Sequence, residues 1–120
     1  MLALTTEIFF HFFSELTLVK AALIFTVEPL DTEVWQGKSV YLNCTAKANR
    51  GTILYSWLHD GVAVTTSDSL KILAGSDGGV VLNIPQADRK RDRGKYQCKA
   101  MKKDKTSKFS REATLSVVRK

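Results

Sequence analysis

Metal-binding chemistry is the first thing this sequence lacks. It has two cysteines, Cys44 and Cys98, and two histidines, His11 and His59. These are too few thiols for an all-cysteine zinc site, and the histidines lack ligand spacing relative to them. No metal and no cofactor is expected. An unbroken apolar run is also missing: Ile8, Phe9, Phe10, Phe12 and Phe13 cluster, but Glu7, His11, Glu15 and Lys20 interrupt them. The run falls well short of the roughly 18 apolar residues that a membrane span needs. There is no Gly-x-Ser-x-Gly, no phosphate-cradling glycine loop and no histidine spaced to serve a nucleophile, so no catalytic activity is expected. His59, just ahead of Asp60-Gly61, reads as a solvated turn residue. Convincing helical periodicity is absent too. The low apolar content of a disordered chain is not found either, since 44% of the 120 residues are hydrophobic and 25% charged. That composition suits one globular domain.

Residues 1–21 stand apart from the remainder. They supply neither the basic start, nor the continuous apolar core, nor the small residues before a cleavage point that mark a strong secretory leader. They read as a degenerate signal segment or as an N-terminal extension, and the folded domain is expected over residues 22–119.

From Leu23 onward the chain shows short period-two stretches separated by turn residues at intervals of about ten, the pattern of an all-β sandwich. Strands are expected at Leu23–Val27, ending before Pro29; at Thr32–Trp35; at Ser39–Ala46; and at Ile53–His59, closed by the Asp60-Gly61 turn. Further strands are expected at Val62–Thr65, Leu70–Leu73, Val80–Ile84, Lys95–Met101 and Phe109–Val118, the last two forming a hairpin. In the third strand Val40, Leu42 and Cys44 share one face, with Tyr41, Asn43 and Thr45 on the other. In the last strand Ala113, Leu115 and Val117 point inward.

Cys44 and Cys98 share the inward parity of their strands, as a bridge between two packed sheets requires; two free buried thiols are the alternative. Trp57, 13 residues after the first cysteine, lies on a strand that would cover the bridge. Tyr96, two residues before the second cysteine, stands where a tyrosine-corner hydroxyl bonds back to the backbone. Asp92 is expected to accept hydrogen bonds or pair with an arginine, and Gly94 completes the stretch Asp92-Arg93-Gly94-Lys95-Tyr96-Gln97-Cys98.

Together these residues resemble the immunoglobulin superfamily, most like its intermediate set, over about Leu23 to Val118. The resemblance implies an immunoglobulin-like sandwich of two antiparallel sheets with an inter-sheet disulfide. It also implies an extracellular recognition module of a receptor or adhesion protein. Tyr55-Ser-Trp-Leu-His-Asp-Gly61 and Ala87-Asp-Arg-Lys-Arg-Asp-Arg-Gly94 resemble more narrowly the first immunoglobulin domain of the receptor pseudokinase family known as colon carcinoma kinase or off-track. Those receptors act in Wnt and planar-polarity signalling and adhesion. A membrane association would then come only through a parent receptor, and a neighbouring immunoglobulin domain joins receptors and ligands among the expected protein partners.

Three surface features are candidates for function. With Cys98 inward, Gln97, Lys99 and Met101 point outward, as do Leu54, Ser56 and Leu58 on the neighbouring strand, an apolar patch with a basic rim of the kind that marks interfaces. The chain carries 18 Lys and Arg against 12 Asp and Glu, a net charge of +6, which attracts polyanions. Lys102, Lys103, Lys105 and Lys108 form one basic cluster, and Arg89, Lys90, Arg91 and Arg93 form a second at the other end. Sulfated glycosaminoglycan suits an extracellular setting, whereas nucleic acid does not suit a disulfide-bonded protein. Finally, Asn43-Cys44-Thr45 satisfies the acceptor rule for N-linked glycosylation and its outward parity makes the site reachable, with the central cysteine lowering occupancy so that partial modification is expected on secretion.

Overall fold

A computed structural model describes residues 23–119. The segment expected at 1–21 lies outside the described residues. In chain order the elements are β1 (Leu23–Val27), β2 (Thr32–Trp35), β3 (Val40–Ala48), β4 (Ile53–His59), β5 (Val62–Ala63), β6 (Lys71–Ala74), β7 (Val80–Ile84), α1 (Arg89–Asp92), β8 (Gly94–Lys102), β9 (Ser107–Phe109) and β10 (Ala113–Val118). They build two sheets, one ordered β1-β3-β7-β6 and the other β2-β10-β8-β4-β5, with β9 attached to β8. Strand pairing is antiparallel except between β2 and β10, which run parallel.

Period-two alternation creates the inner faces. Val40, Leu42, Cys44 and Ala46 of β3 are buried, as are Tyr96, Cys98 and Ala100 of β8 and Ala113, Leu115 and Val117 of β10. Most of them pack with Leu82 and Ile84 of β7 and Trp57 of β4 in the main cluster between the layers, while Ala46 and Ala100 join Leu23 in a smaller one. Each aliphatic side chain fully withdrawn from water contributes about 1.5–3 kcal/mol. The chain crosses between the layers after β1: Pro29 is fully buried there and has no N–H to continue the ladder.

Several elements depart from the sequence reading, and for Thr45 and the stretch before β8 the local cause is visible. β3 starts at Val40 and extends to Ala48. Thr45 has outward parity yet is buried, because the β6–β7 turn folds over it and Asp77 takes its hydroxyl at 2.9 Å. β5 is two residues long, and β6 is Lys71–Ala74. Leu70 instead forms an isolated bridge with Ser67. The charged stretch before β8 contains a helical turn, since Asp88 caps it by accepting from the Arg91 N–H at 2.9 Å while the Asp92 carboxylate takes the Asp88 N–H at 2.8 Å.

The expected strand Phe109–Val118 is broken at Ser110. Its hydroxyl accepts from the Cys98 N–H at 3.0 Å, and its own N–H donates to the Cys98 carbonyl at 2.8 Å. Beyond the break, Arg111 donates to the Pro29 carbonyl at 2.7 Å and its N–H donates to Glu28. Asp31 receives the Thr114 N–H at 2.8 Å and the Arg111 guanidinium at 3.4 Å. These donors, Thr114 first, hold the Asp31 carboxyl below the usual aspartate range. The polar break therefore fastens the β1–β2 crossing to the opposite sheet and leaves Phe109 exposed where Ala113 is buried.

Candidate functional site

The inter-sheet staple is formed by Cys44 and Cys98, bonded with their Cα atoms 6.5 Å apart. Trp57 is directly opposite Cys98 in the β4–β8 ladder and is fully buried in the same cluster. Four residues before Tyr96, Asp92 holds the lower corner. The Tyr96 hydroxyl donates to the Asp92 carbonyl at 2.6 Å, while the Asp92 carboxylate accepts Arg91 Nε at 2.9 Å and Nη2 at 2.8 Å. A buried carboxylate with two guanidinium bonds and a backbone N–H is fully partnered, which burial of a charge demands.

Gly94 belongs to this corner for a steric reason. Its φ is +136°, and a Cβ there would come within 2.7 Å of the Asp60 carboxylate and 2.8 Å of His59 Nε2. His59 corrects the sequence reading, for it is not a solvated turn residue. Its ring stacks on Tyr96 with centroids 4.3 Å apart, and Nε2 donates to the Arg93 carbonyl at 2.8 Å. The β4–β8 ladder sets His59 opposite Tyr96, and Asp60 bonds Lys95 through both its N–H and its carboxylate, which pins the ring.

Burial pushes the Tyr96 phenol well above the ordinary tyrosine range, with the Asp92 charge adding to the shift. A raised acid pKa means that the folded state prefers the neutral phenol. Its contribution is full below the unfolded value of about 10 and is lost as pH rises beyond it. Tyr96→Phe should cost about 1–3 kcal/mol at neutral pH by stranding a buried acceptor. It should also flatten the loss of stability above pH ~10. Urea titrations of both proteins at neutral and alkaline pH check the two effects together; equal alkaline slopes would contradict the assignment.

On the outer side of the same sheet the six residues of the expected patch come together as three cross-strand pairs: Leu54 opposite Met101, Ser56 opposite Lys99, and Leu58 opposite Gln97. Leu54 is 62% exposed. Sequence reasoning missed a seventh member. Phe109 is opposite Lys99 in the β8–β9 ladder, half exposed, with the Lys99 ammonium 5.6 Å from its ring centroid. In an unbroken strand Phe109 would share the inward parity of Ala113, and the polar run Ser110-Arg111-Glu112 was the one signal of the reversal. β4, β8 and β9 contain no carboxylate, so this face is apolar and cationic.

The two basic clusters differ in their surroundings. Arg91 is bound to Asp92 and also donates to the Gln86 carbonyl. Arg89 and Arg93 line a cleft shared with Glu33 and Asp60, and Lys90 is exposed on α1. At the β8–β9 turn, Lys102, Lys103 and Lys105 are accompanied by Asp104, whose carboxylate takes the Thr106 N–H, while Lys108 reaches the Leu23 carbonyl at 3.4 Å. Asn43 is exposed on the outer face of the other sheet, opposite Val81. Among the described residues no group of three or more His, Cys, Asp or Glu side chains is arranged to hold a metal ion. None of the helices in that range is long and apolar enough to cross a membrane.

Two packed β-layers, a central disulfide, a tryptophan packed against it and a tyrosine tied to the preceding corner define a disulfide-stapled β-sandwich module. The chain belongs to the immunoglobulin domain family, whose model matches residues 22–117. It is 32% identical to the human netrin receptor DCC over 98 residues, covering 80% of this chain and 7% of that protein. It is 42% identical to human hemicentin-1 over 72 residues, covering 60% of this chain and 1% of that protein. The chain thus spans a small fraction of the length of these curated relatives. Among solved structures, the N-terminal Ig1-2 module of the Drosophila receptor protein tyrosine phosphatase DLAR superposes with a TM-score of 0.73 at 22% identity. That match covers 82% of this chain and 50% of the other, a likeness of fold.

Proposed function

We propose that this immunoglobulin domain is an extracellular recognition module of a cell-surface receptor or adhesion protein, binding a protein partner through the outer face of β4, β8 and β9. The observation that carries the reading is the alignment of Leu54, Met101 and Phe109 around Lys99 on strands without a carboxylate. Burying such a face against an acidic, partly apolar surface gains both area and charge complementarity. Similarity to a netrin receptor and to hemicentin supports a parent of the receptor or matrix kind. The narrower likeness to the off-track pseudokinases rests on Tyr55–Gly61 and Ala87–Gly94 and would add a neighbouring domain to the candidate partners. The module has no assigned chemistry of its own in this reading; it positions a partner. A screen of the oxidised domain against a panel of purified ectodomains tests the proposal. Loss of the resulting binding in Leu54→Glu supports it, and binding untouched by changes at Leu54, Lys99 and Phe109 refutes it.

A second reading, binding of a sulfated glycosaminoglycan, is favoured by the β8–β9 turn, where Lys102, Lys103 and Lys105 have Asp104 as their close acidic neighbour. The cluster around α1 is a weaker candidate, because Arg91 is neutralised and Arg89 and Arg93 share their cleft with carboxylates. On heparin resin, Lys103→Ala/Lys105→Ala is expected to elute at clearly lower salt than the parent, and Arg89→Ala/Lys90→Ala to shift less. Elution of the parent at or below physiological salt dismisses this reading.

A further inference from the structure

Asn43-Cys44-Thr45 lies in the middle of β3, and the folded domain hides the parts of it that an acceptor must present. Asn43 itself is exposed, but it is held in the β3–β7 ladder opposite Val81. Thr45, whose hydroxyl defines the acceptor motif, is buried, pairs with Val27 of β1, and donates that hydroxyl to Asp77 at 2.9 Å. The residue between them is fully buried and bonded to Cys98. Asp77 is itself fixed, taking the Gly79 N–H at 3.2 Å; these two hydrogen bonds, Thr45 first, hold its carboxyl below the usual aspartate range.

We propose that Asn43 is an N-glycosylation site open only before Cys44 bonds to Cys98, and closed in the folded domain. Presenting the Thr45 hydroxyl to an enzyme means breaking its bond to Asp77 and lifting β3 from between β1 and β7, an opening on the scale of global unfolding. Cys98 follows Cys44 by 54 residues. At synthesis rates of about 5–20 residues per second, Asn43 therefore has a window of roughly 3–10 s before its neighbour's partner has been made. In the step itself the Asn43 amide nitrogen attacks the anomeric carbon of a lipid-linked oligosaccharide. One C–N bond forms, the C–O bond to the lipid diphosphate breaks, the diphosphate leaves with the electron pair, and the amide gives up one proton. A glycan so placed stands over Val81 and Leu73 on the outer face of the β3-β7-β6 layer and leaves the face bearing Leu54 and Phe109 clear.

The inference rests on the extracellular reading, since only the secretory lumen supplies the donor. The test uses the unaltered chain, prepared oxidised and folded in one sample and reduced and unfolded in the other. Each is given the same microsomal transferase and lipid-linked donor and read by mass before and after peptide N-glycosidase. The reduced chain is expected to gain a glycan at least about a hundredfold faster, because the oxidised domain must open globally before the Thr45 hydroxyl is released. In translation with microsomes behind a secretory leader, adding reductant during synthesis should raise occupancy, and Thr45→Val should abolish it. Comparable modification of the oxidised domain would overturn the proposal, as would a reduced chain left bare while a control acceptor peptide is modified. Either failure concerns Asn43 alone, because partner binding is read separately through Leu54.

Discussion

Replacing both cysteines by alanine is expected to lower the unfolding free energy by about 4 kcal/mol, the chain-entropy value for a closed loop of this length. The bridge joins positions 54 residues apart, so the unfolded ensemble of the variant regains the freedom of more than half the domain. In a domain of about this size each kcal/mol moves the melting temperature by about 4–8 °C, which places the expected drop at roughly 15–30 °C. Part of the effect is local: Cys44, Cys98 and Trp57 are all completely buried, and two alanines leave space beside the indole ring. Calorimetry of the oxidised domain, the reduced domain and the double variant separates the two contributions. The reduced domain keeps the sulfur volume and loses only the constraint. A double variant melting within a few degrees of the oxidised parent would show that packing, not the staple, holds the layers together.

Leu54→Glu is expected to weaken partner binding by at least about 30-fold, the 2 kcal/mol or more that removal of a central interface anchor costs. The fold should hardly register the change, because Leu54 is 62% exposed and surface substitutions of this kind usually stay within about 0.5 kcal/mol. Phe109→Ala should act in the same direction, and Lys99→Glu should mainly slow association and change its salt dependence. Tyr41→Ala, also exposed but on the outer face of the other sheet, is the control. Titration calorimetry or surface plasmon resonance against the ectodomain identified in the screen measures each affinity. A Tyr41 effect as large as that of Leu54 would move the interface to the β3-β7-β6 side.

What the sequence disclosed depended on whether a feature was local or required the second layer. The two-layer fold was legible because alternation in Val40–Cys44 and Ala113–Val117 is a property of each strand by itself, and the Cys44–Cys98 bridge follows once both strands face inward. Pairing Leu54 with Met101 needed only that parity and a correct guess of neighbours. Phe109 was illegible because its orientation is decided by Ser110, whose hydroxyl replaces a ladder partner at Cys98. The burial of Thr45 has the same origin. It depends on the β6–β7 turn at Asp77 folding over from elsewhere, and residue periodicity carries no trace of that, whereas His59 continues the inward alternation of Tyr55 and Trp57 and so comes opposite Tyr96. The helical turn at Arg89–Asp92 left a faint signal in Asp88, a good N-cap, within a run of charges that otherwise reads as loop.

The parallel pairing of β2 with β10 has a mechanical consequence. Thr32 to Trp35 lie beside Leu115 to Val118 in register, and the chain enters through β1 near Lys108 but leaves past Val118 beside Gln36, at the other end of the sandwich. Tension applied between the two ends therefore runs along the strands and loads this ladder in shear. The four residue pairs must give way together, not peel apart one after another, so a tether built from this domain would resist stretching until it failed abruptly.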